Sequence, residues 1–153
     1  MKRFIITSVF LTVIVTVFCQ NNSSSIALIP FPVSIQPGNG SFTIKNSTFI
    51  NLVTADADAK RVAGFLSRKL GTATGFSLQV KPIDTASKTQ NAITLSLSSK
   101  DVTPGKEGYK LIITPTGIDL QANTAAGLFY GTQTLVQLLP KEIEGKQTVR
   151  NVS

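Results

Sequence analysis

Histidine and tryptophan are absent from the 153 residues, and cysteine occurs once, at Cys19. Without histidine there is no imidazole base for a nucleophile and no imidazole metal ligand. Without tryptophan the chain lacks the side chain that sugar-stacking platforms favour. One cysteine closes no disulfide within the chain. Charge is sparse as well, at 15% of residues against 42% apolar ones. That balance describes a packed core, not a disordered chain, and the length allows one domain plus flanking segments. There is no internal repeat, and no low-complexity tract beyond residues 21–25.

The apolar content is concentrated at the start. Met1-Lys2-Arg3 precedes fifteen uncharged residues, 4–18. A basic head followed by an apolar run of this length is the pattern of a secretory leader. It falls short of the roughly 20 residues that a membrane-spanning helix needs. Cleavage before Gln20 is expected, with residues 1–19 as signal peptide and 20–25 as a flexible polar start. An alternative is acylation at Cys19, which the bulky Phe18 before it opposes. Removing Lys2 and Arg3 leaves thirteen basic residues against eight acidic ones. The remaining cluster, Lys60-Arg61 with Arg68-Lys69, has no interleaved aromatics and reads as a solvated helix face, not a nucleic-acid surface.

From Ile26 onward the periodicity alternates between strand and helix. Ile29-Pro30-Phe31-Pro32 is an extended opening restricted by its prolines. Val33 and Ile35, then Phe42 and Ile44, alternate with polar residues and predict two short strands around the turn Pro37-Gly38-Asn39-Gly40. Asn46-Ser47 turns the chain into a third strand over 48–53. A helix is expected over 55–70, with Asp56 and Asp58 in its first turn and Arg68 and Lys69 in its last. Ala55, Ala59, Val62, Leu66 and Leu70 are its buried stripe and Gly71 its C′ residue. Four strands follow. They are marked by Leu78 and Val80, by Ile93, Leu95 and Leu97, by Tyr109, Leu111 and Ile113, and by Ile118, Leu120 and Ala122. The closing helix, over 125–140, is capped by Asn123 or Thr124 and stopped by Pro140. Leu128, Gly131, Leu135 and Leu138 line one side of it. Gly127 and Gly131 inside it each cost about 1 kcal/mol against alanine, so close packing on a sheet is expected there. The predicted fold class is a two-layer α/β (α+β) sandwich, a mostly antiparallel sheet with two helices on one face.

Chemistry is hard to find in this pattern. Asp56 and Asp58 read as helix-start residues and Asp119 points outward from a strand. Asp84, Asp101 and Glu107 fall in turn-rich segments, and Glu142 and Glu144 in a charged tail. No pair is placed as a general acid with its partner. Gly38-Asn39-Gly40 and Gly105-Lys106-Glu107-Gly108 match no phosphate-binding fingerprint. Tyr109 and Tyr130 are expected in the core. Asn22, Asn46 and Asn151 head glycosylation sequons. No catalytic, cofactor-binding or metal-binding residue is assigned, and no cofactor is expected.

One resemblance gives these elements a context. Ala126-Gly127-Leu128-Phe129-Tyr130-Gly131-Thr132-Gln133-Thr134-Leu135, followed by Gln137-Leu138-Leu139, resembles the end of the N-terminal domain of glycoside hydrolase family 20, the β-N-acetylhexosaminidases. Leu28-Ile29-Pro30-Phe31-Pro32-Val33-Ser34 resembles the family's opening segment. Gly108-Tyr109-Lys110-Leu111-Ile112-Ile113 and Gly117-Ile118-Asp119-Leu120-Gln121-Ala122 resemble its late hairpin. The resemblance implies a supporting domain over 26–140, a linker over 141–153, and as partner a C-terminal (β/α)₈ barrel that carries the catalysis. In that barrel an adjacent Asp-Glu pair acts, the Glu as general acid and the Asp orienting the substrate's 2-acetamido group, whose oxygen is the nucleophile. None of those residues matches a position in this sequence, so the chain alone is expected to be inactive. The alternatives are the similar N-terminal domain of family 84 N-acetylglucosaminidases and a free-standing glycan-binding or scaffold domain.

Overall fold

The computed structural model describes residues 28–82, 90–98, 102 and 105–140. The leader over 1–19, the polar segment 20–25, the linker 141–153, and Asp84, Asp101, Glu142 and Glu144 lie outside the described residues. Five strands and two helices follow in the order β1 (Phe49–Val53), α1 (Ala57–Thr74), β2 (Val80–Pro82), β3 (Ala92–Leu97), β4 (Tyr109–Thr114), β5 (Gly117–Ala122) and α2 (Ala125–Gln137). The strands form one sheet in the order β2-β1-β3-β5-β4.

The two-layer sandwich is as expected; the strand directions are not. β1 runs parallel to β2 and to β3, and β3 parallel to β5; β4–β5 is the antiparallel pair. The sheet is therefore mixed rather than mostly antiparallel. The cause lies in the connections. Residues 54–79, including α1, carry the chain across one face between β1 and β2, as a parallel pair requires. Only Pro115-Thr116 separates β4 from β5, and so short a link permits antiparallel pairing alone.

The two early strands around Val33 and Phe42 do not form. Residues 29–40 have no ladder, and Val33 is 94% exposed. Pro30, Pro32 and Pro37 remove backbone donors from this stretch, so local alternation finds no partner. Ile44 alone makes a bridge, and it is buried in the core with Phe42 packed beside it.

The core is read directly from the register. Ile50, Ile93 and Ile118 stand side by side across three strands, and Leu52, Leu95 and Leu120 form the next row. Val62, Leu66 and Leu70 of α1 and Leu128 and Leu135 of α2 cluster with these rows. Each such side chain, fully buried, contributes about 1.5–3 kcal/mol. The opposite face is mixed: Asn51, Thr94 and Asp119 stand in register there with Ser96 beside Gln121, and Phe49, Ala92, Val53 and Ile112 share it.

Asp56 caps α1, its Oδ1 accepting from the Ala59 N–H at 2.7 Å. Ala55 is exposed and precedes the helix, so it does not belong to the buried stripe. The helix also runs past Gly71 to a left-handed Gly75 at φ 73°. Burial of Ala73 and the Thr74 Oγ1 bond to the Leu70 carbonyl, at 2.8 Å, extend it by another turn. Arg68 and Lys69 therefore lie before the last turn. Gly71 serves close approach instead, since a Cβ there would stand 3.0 Å from the Phe76 carbonyl oxygen.

Candidate functional site

The acids do not assemble. Asp56 is spent on the cap, and Asp58 pairs with Arg61 on the exposed side of α1. Asp119 accepts from Gln121 Nε2 at 2.8 Å on the sheet face away from the helices. Glu107 is exposed in the turn before β4. Among the described residues no three His, Cys, Asp or Glu side chains gather as a metal site.

A shallow depression of about 240 Å³ lies at the end of the sheet where β3 and β5 begin, lined by Thr43, Lys45, Gln90, Asn91 and Thr116 among others. Its polar groups are mostly occupied in holding loops together. Thr48 Oγ1 accepts from the Lys45 N–H at 2.9 Å and donates to Asn91 Oδ1 at 2.7 Å. Asn91 Nδ2 donates to Ser47 Oγ at 2.9 Å, and its backbone N–H donates to the Thr116 carbonyl at 2.7 Å. Asn91 holds φ 58°, a conformation asparagine tolerates better than most residues. Among the described residues Lys45 is the one charged residue in the lining. Among the described residues of the lining no acid or base stands beside a hydroxyl to activate it.

Helix α2 holds the more informative surface. Thr124 caps it, Oγ1 accepting from the Gly127 N–H at 3.4 Å and donating to the Lys106 carbonyl. Both internal glycines are required by contact. A Cβ at Gly127 would stand well inside 3.0 Å of the Gly108 carbonyl oxygen, and one at Gly131 equally close to Leu120 Cδ1. These glycines seat α2 directly on β5 and the start of β4. Tyr109 packs against the core and its hydroxyl bonds Thr134 Oγ1 at 2.6 Å.

Tyr130, expected in the core, is 43% exposed, and Leu138 at the helix end is 37% exposed. Phe129 is 40% exposed and lies 5.5 Å from the Phe65 ring of α1, centroid to centroid. The outward side of α2 thus presents two aromatic rings. Gln137 reaches back across the fold: its Oε1 accepts from the Ile29 N–H at 2.9 Å, and its Nε2 donates to the Ile29 carbonyl at 3.0 Å. Sequence reasoning missed this clamp, since nothing in the spacing of Ile29 and Gln137 announces it. The exposure of Tyr130 was available from its angular position on the helix, beside Ala126 and Gln137 and opposite Leu128 and Leu135.

A sequence profile described as "Glycosyl hydrolase family 20, domain 2" matches residues 25–153. The chain belongs to glycosyl hydrolase family 20. Its relatives in this family include a beta-hexosaminidase of Porphyromonas gingivalis, 34% identical over 81% of this chain and 15% of the relative. A beta-N-acetylhexosaminidase of Cellulomonas fimi is 27% identical over 81% of this chain and 24% of the relative. Among solved structures, the family 20 beta-N-acetylhexosaminidase of Streptomyces coelicolor superposes with a TM-score of 0.65 at 36% identity, covering 75% of this chain and 22% of that one. The chain therefore spans about a quarter or less of the family 20 proteins it matches here.

Proposed function

We propose that this chain is the non-catalytic N-terminal supporting domain of a secreted β-N-acetylhexosaminidase. The observation that carries the reading is the extent of the match. Domain 2 of family 20 accounts for residues 25–153, while the relatives are several times longer. The scattered positions of Asp56, Asp58, Glu107 and Asp119 agree with it. The parent enzyme removes terminal N-acetylglucosamine or N-acetylgalactosamine in a (β/α)₈ barrel C-terminal to this domain. There the substrate's own acetamido oxygen attacks the anomeric carbon, assisted by an Asp-Glu pair, so configuration is retained without a protein nucleophile. The leader pattern over residues 1–19 supports export, with a soluble product favoured over acylation at Cys19. The family 84 alternative is less well supported, because the matching profile is that of family 20.

The experiment is a turnover assay with an aryl N-acetylglucosaminide. Purified residues 20–153 are expected to show no hydrolysis above the uncatalysed rate, and the parent chain to hydrolyse the substrate. Turnover by the short chain overturns the non-catalytic assignment.

A further inference from the structure

The two edges of the sheet are built differently. β2, at one edge, is three residues long and carries exposed Lys81 and Pro82, devices that keep an edge from pairing further. β4, at the other, runs six residues and holds neither proline nor glycine. Its register with β5 is unbroken, so no bulge bends it away. Ile112 and Ile113 are 41% and 40% exposed, one on each face of the sheet. Lys110 is the one charge on the strand.

The alternation of the ladder assigns the outward backbone groups. One step beyond the pair Tyr109–Ala122, the Asn123 N–H donates to the Gly108 carbonyl at 3.4 Å. Antiparallel pairs are alternately hydrogen-bonded and not. Lys110, Ile112 and Thr114 therefore turn their backbone groups toward β5, and Tyr109, Leu111 and Ile113 turn theirs outward. Among the described residues no backbone bond reaches these three from the far side. A straight, apolar edge with a free row of donors and acceptors is a template for another strand.

We propose that β4 pairs antiparallel with β4 of a second copy of this chain, about a two-fold axis at Leu111. The residues of the edge select both partner and register. A pairing centred on Lys110 sets the two lysines against each other. One centred on Ile112 puts Pro115, which has no N–H, opposite the outward groups of Tyr109. Centred on Leu111, the pairing uses every outward N–H and C=O of residues 109, 111 and 113. Tyr109 then lies opposite Ile113, an aromatic and β-branched pair, and Lys110 lies opposite Ile112 on the other face. The edge is thus complementary to itself, as a closed two-fold dimer requires. Both outer edges of the joined sheet are then β2, so association stops at two copies. This proposal is independent of the functional reading above.

The test is sedimentation equilibrium on residues 20–153 from roughly 10 µM to 1 mM, since one strand pair buries little area and gives a transient dimer. Wild type is expected to pass from monomer to dimer. Ile112→Lys sets a new lysine opposite Lys110 at both ends of the pairing and should weaken the dimer by about tenfold. Ile112→Glu sets a carboxylate there and should keep the dimer or tighten it. The contrast marks the register, because association through exposed apolar area alone would be lost in both variants. Amide exchange gives a readout with no substitution, and decides should a variant fail to fold. Tyr109, Leu111 and Ile113 should slow as concentration rises, while the exchange of Lys81 stays constant. A chain that remains monomeric throughout overturns the proposal. So does a dimer that Ile112→Lys leaves intact, one lost in both variants, or one in which the three outward amides exchange as in the monomer.

Discussion

Helix α1 carries Asp58, Lys60, Arg61, Arg68 and Lys69, whereas α2 carries no charged residue at all. Their inner faces are alike. Leu66 and Leu128 are both fully buried, each in contact with the same core cluster over the sheet. Their outer faces differ: that of α1 is charged, and that of α2 is uncharged and exposes Phe129 and Tyr130. They also approach the sheet differently. Two glycines let α2 descend onto β5 and the loop before β4, while Gly64 of α1 meets nothing nearer than Arg68 Nη1 at 3.5 Å. The two helices therefore share one task, covering the sheet, and differ in the charge they carry and in how closely their glycines are approached.

The largest expected effect tests the shared task. Leu66→Ala and Leu128→Ala should each destabilise residues 20–153 by about 2–5 kcal/mol in denaturant unfolding, by lost burial and the cavity left behind. Near-equal losses support equivalent inner faces. A loss at Leu128 below that at an exposed site would show that α2 is seated only when its outer face is covered.

Next in size is the close approach of α2. Gly127→Ala places a methyl group against the Gly108 carbonyl, which is backbone and has no rotamer to change. Gly131→Ala meets the Leu120 side chain, which can turn aside. Overpacking of this kind costs about 1–3 kcal/mol, and Gly127 should lie at the upper end and Gly131 at the lower. The midpoint of urea unfolding measures both, and a reversed order would mean that the loop before β4 yields more readily than Leu120 does.

Much of this comparison was legible in the sequence. The stripe Val62, Leu66, Leu70 and the alternation Ile118, Leu120, Ala122 are local patterns, and both elements stand where the spacing puts them. The glycine pair announced close packing because glycine inside a helix is otherwise unfavourable. Strand direction was not legible: alternation with period two is the same in parallel and antiparallel ladders, and direction is set by the crossovers. Gly71 looked like a helix terminus because a glycine that ends a helix and one that admits a neighbouring carbonyl look alike in one dimension. Val33 and Ile35 alternate as a strand does, yet an extended segment becomes a strand only where another offers a ladder. As for the site, the uncharged length of α2 was plain in the sequence. The clamp between Ile29 and Gln137 is a contact across 108 positions, and side-chain amides give no periodic signal.

The smallest expected effect has the opposite sign and isolates the difference between the helices most cleanly. Gly64 lies half-buried within α1, and a Cβ there makes ordinary contact with the far end of a flexible arginine. Glycine in a helix interior is unfavourable against alanine by about 0.5–1 kcal/mol, largely because the unfolded chain has more freedom to lose. Gly64→Ala should therefore stabilise residues 20–153 by about 0.5–1 kcal/mol, raising the urea midpoint with no change in slope. The same substitution would then stabilise one helix and destabilise the other within a single sheet-covering layer. Propensity is common to both sites, so the difference in sign measures how closely each helix is pressed to its neighbours. A destabilising Gly64→Ala would mean that α1 too is held closer than its side-chain contacts require, and the contrast with α2 would rest on charge alone.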